Sequence, residues 1–197
     1  MKNIVSELKT ALQVILFNEK AMHEVAADKN KTKFGFAVII VAAFLGVIGQ
    51  QLFMGWLKPS FGYGLMMGVT QIIGVTIGIY VISFVAVKIF KGQVKHDAFF
   101  RVAAYGMLLG WASIIPMLGI ISALWGLALL FVILTKVHKV TVGGAIGTIL
   151  ISLVVLMAVS AILSPAMSRF GYKAGMGGAM NYHLNMGPNS YNFQINP

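Results

Sequence analysis

The sequence predicts an all-α, polytopic membrane protein, and three observations carry that prediction. Of 197 residues, 58% are hydrophobic and 10% charged, where soluble domains carry about 25% charged residues. Four apolar runs each reach the roughly 20 residues that one membrane crossing takes. Twelve of the fifteen basic residues, six within 1–33 and then Lys88, Lys91, Lys95, Arg101, Lys136 and Lys139, flank these runs on one side, in the pattern that lysine and arginine follow on the cytoplasmic side of a membrane. The expected architecture is five transmembrane helices, the third and fourth forming a short hairpin, preceded by an N-terminal amphipathic helix.

Residues 1–33 make the first segment. Within it, NIVSELKTALQVILF (3–17) sets Ile4, Val5, Leu8, Leu12, Ile15 and Leu16 at helical spacing, with Glu7, Lys9 and Gln13 mainly on the other side. The stretch is too short and too mixed to span. It predicts a helix lying in the membrane interface, with a helical hairpin packed on the protein itself as the equal alternative. Asn18 offers an N-cap for a second helix through about Ala27, and DKNKTK (28–33) is a basic linker. No cleavable signal peptide is visible, so the first span is expected to act as its own insertion signal.

Residues 34–165 form the membrane domain. Phe34 to Leu57 and Phe61 to Val87 read as spans, with Trp56, Lys58, Pro59 and Ser60 between them; KIFKGQVKHD (88–97) is a polar loop. The run from Ala98 to Thr135 would be roughly 57 Å long if helical, nearly twice a hydrocarbon core of about 30 Å. One pass is excluded. Pro116, which does not fit a helix interior, and Gly119, which permits a reversal, place a turn there, with arms of 98–115 and 119–135. The arms either cross or form a re-entrant wedge. A last span runs from about Val142 to Leu163, closed by Ser164 and Pro165. Residues 166–197 are a Gly-, Met-, Asn- and Tyr-rich tail. The lysine distribution puts the N-terminus in the cytoplasm and the tail outside.

The acidic residues Glu7, Glu19, Glu24, Asp28 and Asp97 all lie outside the spans, which argues against a proton-driven pump. There is no cysteine, so thiolate chemistry is excluded. His96–Asp97 lacks a second ligand, and His183 among Met167, Met176, Met180 and Met186 has irregular spacing. No metal or other cofactor is expected. The net charge of +10 flanks apolar spans, which points to anionic lipid headgroups and not to nucleic acid. Polar residues at membrane depth, Gln50, Gln51, Thr70 and Gln71 among them, read first as interhelical hydrogen-bond partners. Glycine pairs four apart recur, and those within predicted spans, Gly74 with Gly78 and Gly106 with Gly110, imply close helix packing, since glycine weakens a helix without such a reason.

From Asp97 onward FFRVAAYG (99–106), IPMLGIISALWGLALL (115–130), VHKV (137–140) and the small-residue start at Gly143 to Ala145 resemble the Yip family of Ypt/Rab-interacting membrane proteins. Tyr105, Pro116, Gly119, Trp125 and His138 carry the likeness, over about residues 20–165. The resemblance implies five spans with the N-terminus cytoplasmic. No Asp-Leu-Tyr-Gly-like motif is present, so the resemblance is to prokaryotic-type members and Rab binding is not implied.

The expected function is that of a non-enzymatic membrane-organising or accessory subunit, in a prokaryotic cytoplasmic membrane, acting through helix packing and its exposed ends. Its partners would be membrane lipids and another membrane protein or further copies of itself. Tyr172, Tyr182, Tyr191 and Phe193 in the tail are candidates for docking on a partner. The alternative is a small channel or permease lined by Gln50, Gln51, Thr70 and Gln71.

Overall fold

The computed structural model describes residues 4–53 and 61–171. Among them the chain is helical apart from short connections: α1 (Ile4–Ile15), α2 (Glu19–Ala27), α3 (Lys31–Phe53), α4 (Phe61–Lys88), α5 (His96–Gly106), α6 (Pro116–Val132) and α7 (Val142–Gly171). A 3₁₀ stretch, Met107–Ile114, continues α5, and a π-helical turn, Ile133–Val137, ends α6. Four of these helices, α3, α4, α6 and α7, are long and apolar enough to cross a membrane.

The N-terminal pair forms as its local signals dictate. Asn18 caps α2, its side chain accepting from the Ala21 N–H at 3.1 Å. Just before it, Phe17 adopts a left-handed φ of 61°, and the Asn18 N–H returns to the Gln13 carbonyl at 3.0 Å, a Schellman-type ending for α1. Ala11, Val14 and Ile15 of α1 and Ala21, Met22 and Val25 of α2 are buried against the protein, while a second apolar row on α1 faces outward. Glu7 lies with the inward face, not opposite it.

Helix α5 is the hub. Phe99, Phe100, Arg101, Val102, Ala104 and Tyr105 are all buried, because α1 to α4 each pack on it. It crosses α3 at Gly35, where a Cβ would come within 2.9 Å of the Ala104 Cβ. The 3₁₀ stretch then follows α3 in the same direction. Trp111 Nε1 donates to the Val38 carbonyl at 3.3 Å, Gly110 meets Ala42, and Gly49 meets the Ile114 backbone. At about 2.0 Å rise per residue instead of 1.5 Å, a 3₁₀ segment reaches further per residue. The expected first arm of the hairpin is therefore not one continuous helix but a buried α5 followed by an extended 3₁₀ run.

The reversal falls at Ile115, which is extended (φ −105°, ψ 113°). Pro116 opens α6 at its first turn, a position where the missing N–H has no intrahelical partner to lose. Gly119 sits inside α6, its N–H bonded to the Ile115 carbonyl, so it faces the 3₁₀ arm at Ser113 and is not itself part of the turn. At the far end, Pro165 does not close the last helix: the helical backbone continues to Gly171. A single proline removes one i→i−4 bond, which a long apolar helix tolerates.

The spans pack as an open layer. Helix α7 lies on α4, α4 on α3, α3 on the 3₁₀ arm, and that arm on α6. Helices α6 and α7 occupy the two edges and barely touch. Only 17% of each edge span is buried, against 44% of α3.

Candidate functional site

The chemically richest part of the molecule is the junction between the α1–α2 pair and the spans. Tyr105 Oη donates to Glu7 Oε2 at 2.7 Å. Lys31 Nζ, on a residue only 5% exposed, donates to Glu24 Oε1 at 3.1 Å and approaches Glu7 Oε2 at 3.5 Å. The same ammonium stands 5.9 Å from the centre of the Tyr105 ring. The Lys31–Glu7 pair is buried, and removing either partner leaves the other charge uncompensated, at a cost of about 3–5 kcal/mol; Glu24 is largely exposed and adds little. The network ties α1, α2, α3 and α5 into one body.

Arg101 completes the tie. Near the end of a helix, an arginine can carry its charge out to the interface. Instead it is buried, with Nε donating to the Val25 carbonyl at 3.2 Å and Nη2 to that of Ala26. These carbonyls end α2 without intrahelical partners, and a cation there also suits the helix dipole. Two further contacts reach α6. Trp125 Nε1 donates to the Ile15 carbonyl at 2.9 Å, with Phe17 on the Trp125 ring at 5.0 Å, and Lys136 pairs with Glu19 at 2.8 Å. The last pair is half exposed and contributes little.

A second cluster lies where the 88–96 loop meets the end of α6. His138 is fully buried against the Phe99 ring at 4.8 Å and the Gly92 backbone. Neither ring nitrogen has a hydrogen-bond partner. Burial first, and the neighbouring His96 second, lower its pKa to about 4, so at neutral pH it is an uncharged packing group. His96 Nδ1 is 2.9 Å from Ser83 Oγ. A shallow groove of about 410 Å³, lined by Val87, Gly92, Lys95, His96 and Asp97 among others, opens beside it. Among the described residues no three histidines or carboxylates converge as a metal-binding group.

The glycines singled out by spacing behave differently from one another. A Cβ on Gly106 would meet Leu129 at 2.7 Å, and one on Gly110 would meet Ala42 at 3.2 Å. Gly78 has ordinary contact with Leu156 at 3.8 Å, and Gly74 faces open space. The tightest backbone approach is at Gly49, which spacing did not mark. At membrane depth the exposed Gln71 side chain lies across Gly46 from Ser113, both within 3.6 Å of where a Gly46 Cβ would stand. Tyr172, Tyr182, Tyr191 and Phe193 lie outside the described residues, as do the side chains of Gln50 and Gln51.

The sequence pattern of the Yip1 domain matches residues 12–163, taking in the end of α1 and all the spans. The chain belongs to the Yip1 domain family. No curated protein and no solved structure matches it. Within this Yip1 domain Tyr105 and Trp125, two of the residues that carried the resemblance, bond α1 to α5 and α6. His138 sits apart from them, in the loop cluster with Phe99 and Gly92. The acidic and basic partners Glu7, Glu24 and Lys31 were not singled out from sequence; the one signal for Glu7 was a carboxylate one turn from Ala11 on an otherwise apolar face.

Proposed function

We propose that this Yip1-domain protein is a non-enzymatic membrane-organising or accessory subunit that joins other membrane proteins, or further copies of itself, through the open edges and inner notch of its span layer. The observation that carries this reading is Gln71. Its amide is exposed within the Gly64–Lys88 span and has no hydrogen-bond partner among the described residues, while Gly74, one turn on, has nothing within 4 Å of a Cβ. An amide facing hydrocarbon is unfavourable unless it is bonded, and close-packing glycines with interhelical amide bonds are how membrane helices associate. Because the chain lacks cysteine, Gln71→Cys and Gly74→Cys give single reactive sites. Oxidative or bifunctional cross-linking in native membranes is expected to trap a discrete adduct at both; no adduct at either would sink the reading.

In this reading the layer sits with five passages. The α5–3₁₀ arm begins beside Ser83 and ends beside Gly49, near the far end of α3, which supports a passage and return with α6. The N-terminus is then cytoplasmic, in keeping with the lysine distribution, and residues 166–197 lie outside, where Tyr172, Tyr182, Tyr191 and Phe193 would dock on a partner. The membrane is that of a prokaryotic cell. A small-solute permease is favoured by one observation, the Gln71–Ser113 polar spot at Gly46. Flux into reconstituted vesicles that vanishes in Gln71→Leu is its expected signature; unchanged flux removes it.

A further inference from the structure

Helix α1 has three faces, and only two are accounted for. Ala11, Val14 and Ile15 are buried on the protein, with Glu7 bonded on the same side. Lys9 and Gln13 form a polar, exposed face. Between them runs a third row, Ile4, Leu12 and Leu16, which is apolar and 69%, 52% and 69% exposed. The row continues past the helix end at Leu16 and is bordered by Lys9.

The position of this row is set by a contact with a span. The Ile15 carbonyl is held by Trp125 Nε1, and Phe17 rests on the same indole. Trp125 belongs to the candidate span Met117–Val137. On the same helix Leu124 and Leu127, either side of it, are 67% and 50% exposed. The C-terminal end of α1 is therefore beside apolar membrane-facing surface. The other end of α1 is pinned by Glu7 to Tyr105 and Lys31. Around this head Lys9, Lys20, Lys29 and Lys33 are exposed and make no ion pair among the described residues.

We infer that α1 is a fixed wedge in one leaflet: the Ile4–Leu12–Leu16 row lies in the acyl boundary, and the free lysines meet the phosphates of anionic phospholipids. Helices of this kind ordinarily bind membranes reversibly, with the apolar face some 5–10 Å deep and basic residues at the headgroups. Here both ends are bonded to the span layer, so the wedge stays inserted whenever the protein is in the bilayer. It displaces lipid on one side only, and its occupant is lipid and not a protein partner.

The test uses the full chain purified into vesicles of phosphatidylcholine with phosphatidylglycerol, without any other protein, so its outcome is independent of the partner reading above. Single cysteines at Leu12, Leu16 and Gln13 carry an environment-sensitive fluorophore. Brominated acyl chains are expected to quench the Leu12 and Leu16 probes several-fold more than the Gln13 probe, with aqueous iodide giving the reverse order. Iodide quenching of Leu12 and Leu16 equal to that of Gln13 would place the row in water and overturn the proposal. Shielding from both quenchers would overturn it too, since protein would then cover the row. Trp125→Phe, which keeps an aromatic ring but loses the donor, is expected to raise iodide access at Leu16. For the headgroups, spin-labelled phosphatidylglycerol is expected to be immobilised in preference to phosphatidylcholine. Lys9→Gln with Lys20→Gln should cut that preference; retention of the full preference would refute the charge half of the inference.

Discussion

His138 shows how a single side chain can make the stability of a membrane protein depend on pH. It is buried with both ring nitrogens unpartnered, and its pKa falls from 6.5 to about 4. The unfolded chain takes up this proton first as pH drops. The stability that neutral His138 contributes is therefore fully present above about pH 6.5, is lost as pH falls from there towards 4, and is on the order of 3 kcal/mol. Thermal unfolding in detergent is expected to show a melting temperature that declines over that window. In His138→Leu, which keeps an apolar group of similar size, the decline should flatten; an unchanged slope would mean that another group titrates. The aromatic and ionic residues that tie α1 down follow the same local logic. A buried polar atom costs stability when it lacks a partner, and, unlike the His138 ring nitrogens, Glu7, Lys31, Arg101, Tyr105 and Trp125 each have one.

At the level of elements, glycine spacing marks where helices are able to meet, and the fold decides where they do. Gly49 presses on the Ile114 backbone, so a methyl group there would sit 2.6 Å from the Ile114 Cα. Gly49→Ala is expected to destabilise by about 1–3 kcal/mol, the usual range for overpacking, because backbone and not a flexible side chain must yield. Gly74 faces open space in the isolated chain, so Gly74→Ala in purified monomer is expected to be neutral or to stabilise by up to about 1 kcal/mol. Paired melting measurements check both, and a destabilised Gly74→Ala monomer would show that its open face is filled. One helix start was readable, since Asn18 caps α2 as its residue type implies, whereas Pro165 does not end α7. The first arm of the hairpin was not readable. Its apolar residues suit any helix, and its 3₁₀ stretch follows α3 along Ala42, Gly46 and Gly49.

For the whole molecule the prediction concerns sidedness. Single cysteines at Ile115, at the reversal, and at Lys139, in the loop after α6, are expected to react with a membrane-impermeant maleimide from opposite sides. Ile115 should label in intact cells or right-side-out vesicles, and Lys139 only after permeabilisation. Labelling of both from one side would reduce the arm and α6 to a re-entrant wedge. By itself the sequence determined the membrane class, the helical segments, the amphipathic start and membership of the Yip1 domain family, because hydropathy, periodicity and capping are local properties of the chain. Only the tertiary structure decided that Glu7 turns inward to Tyr105, ninety-eight residues away, that Arg101 ends α2 instead of reaching for water, and that the spans form a layer with free edges. Those outcomes depend on which buried donor meets which acceptor and which backbones touch, and such pairings between distant residues leave no period in the sequence.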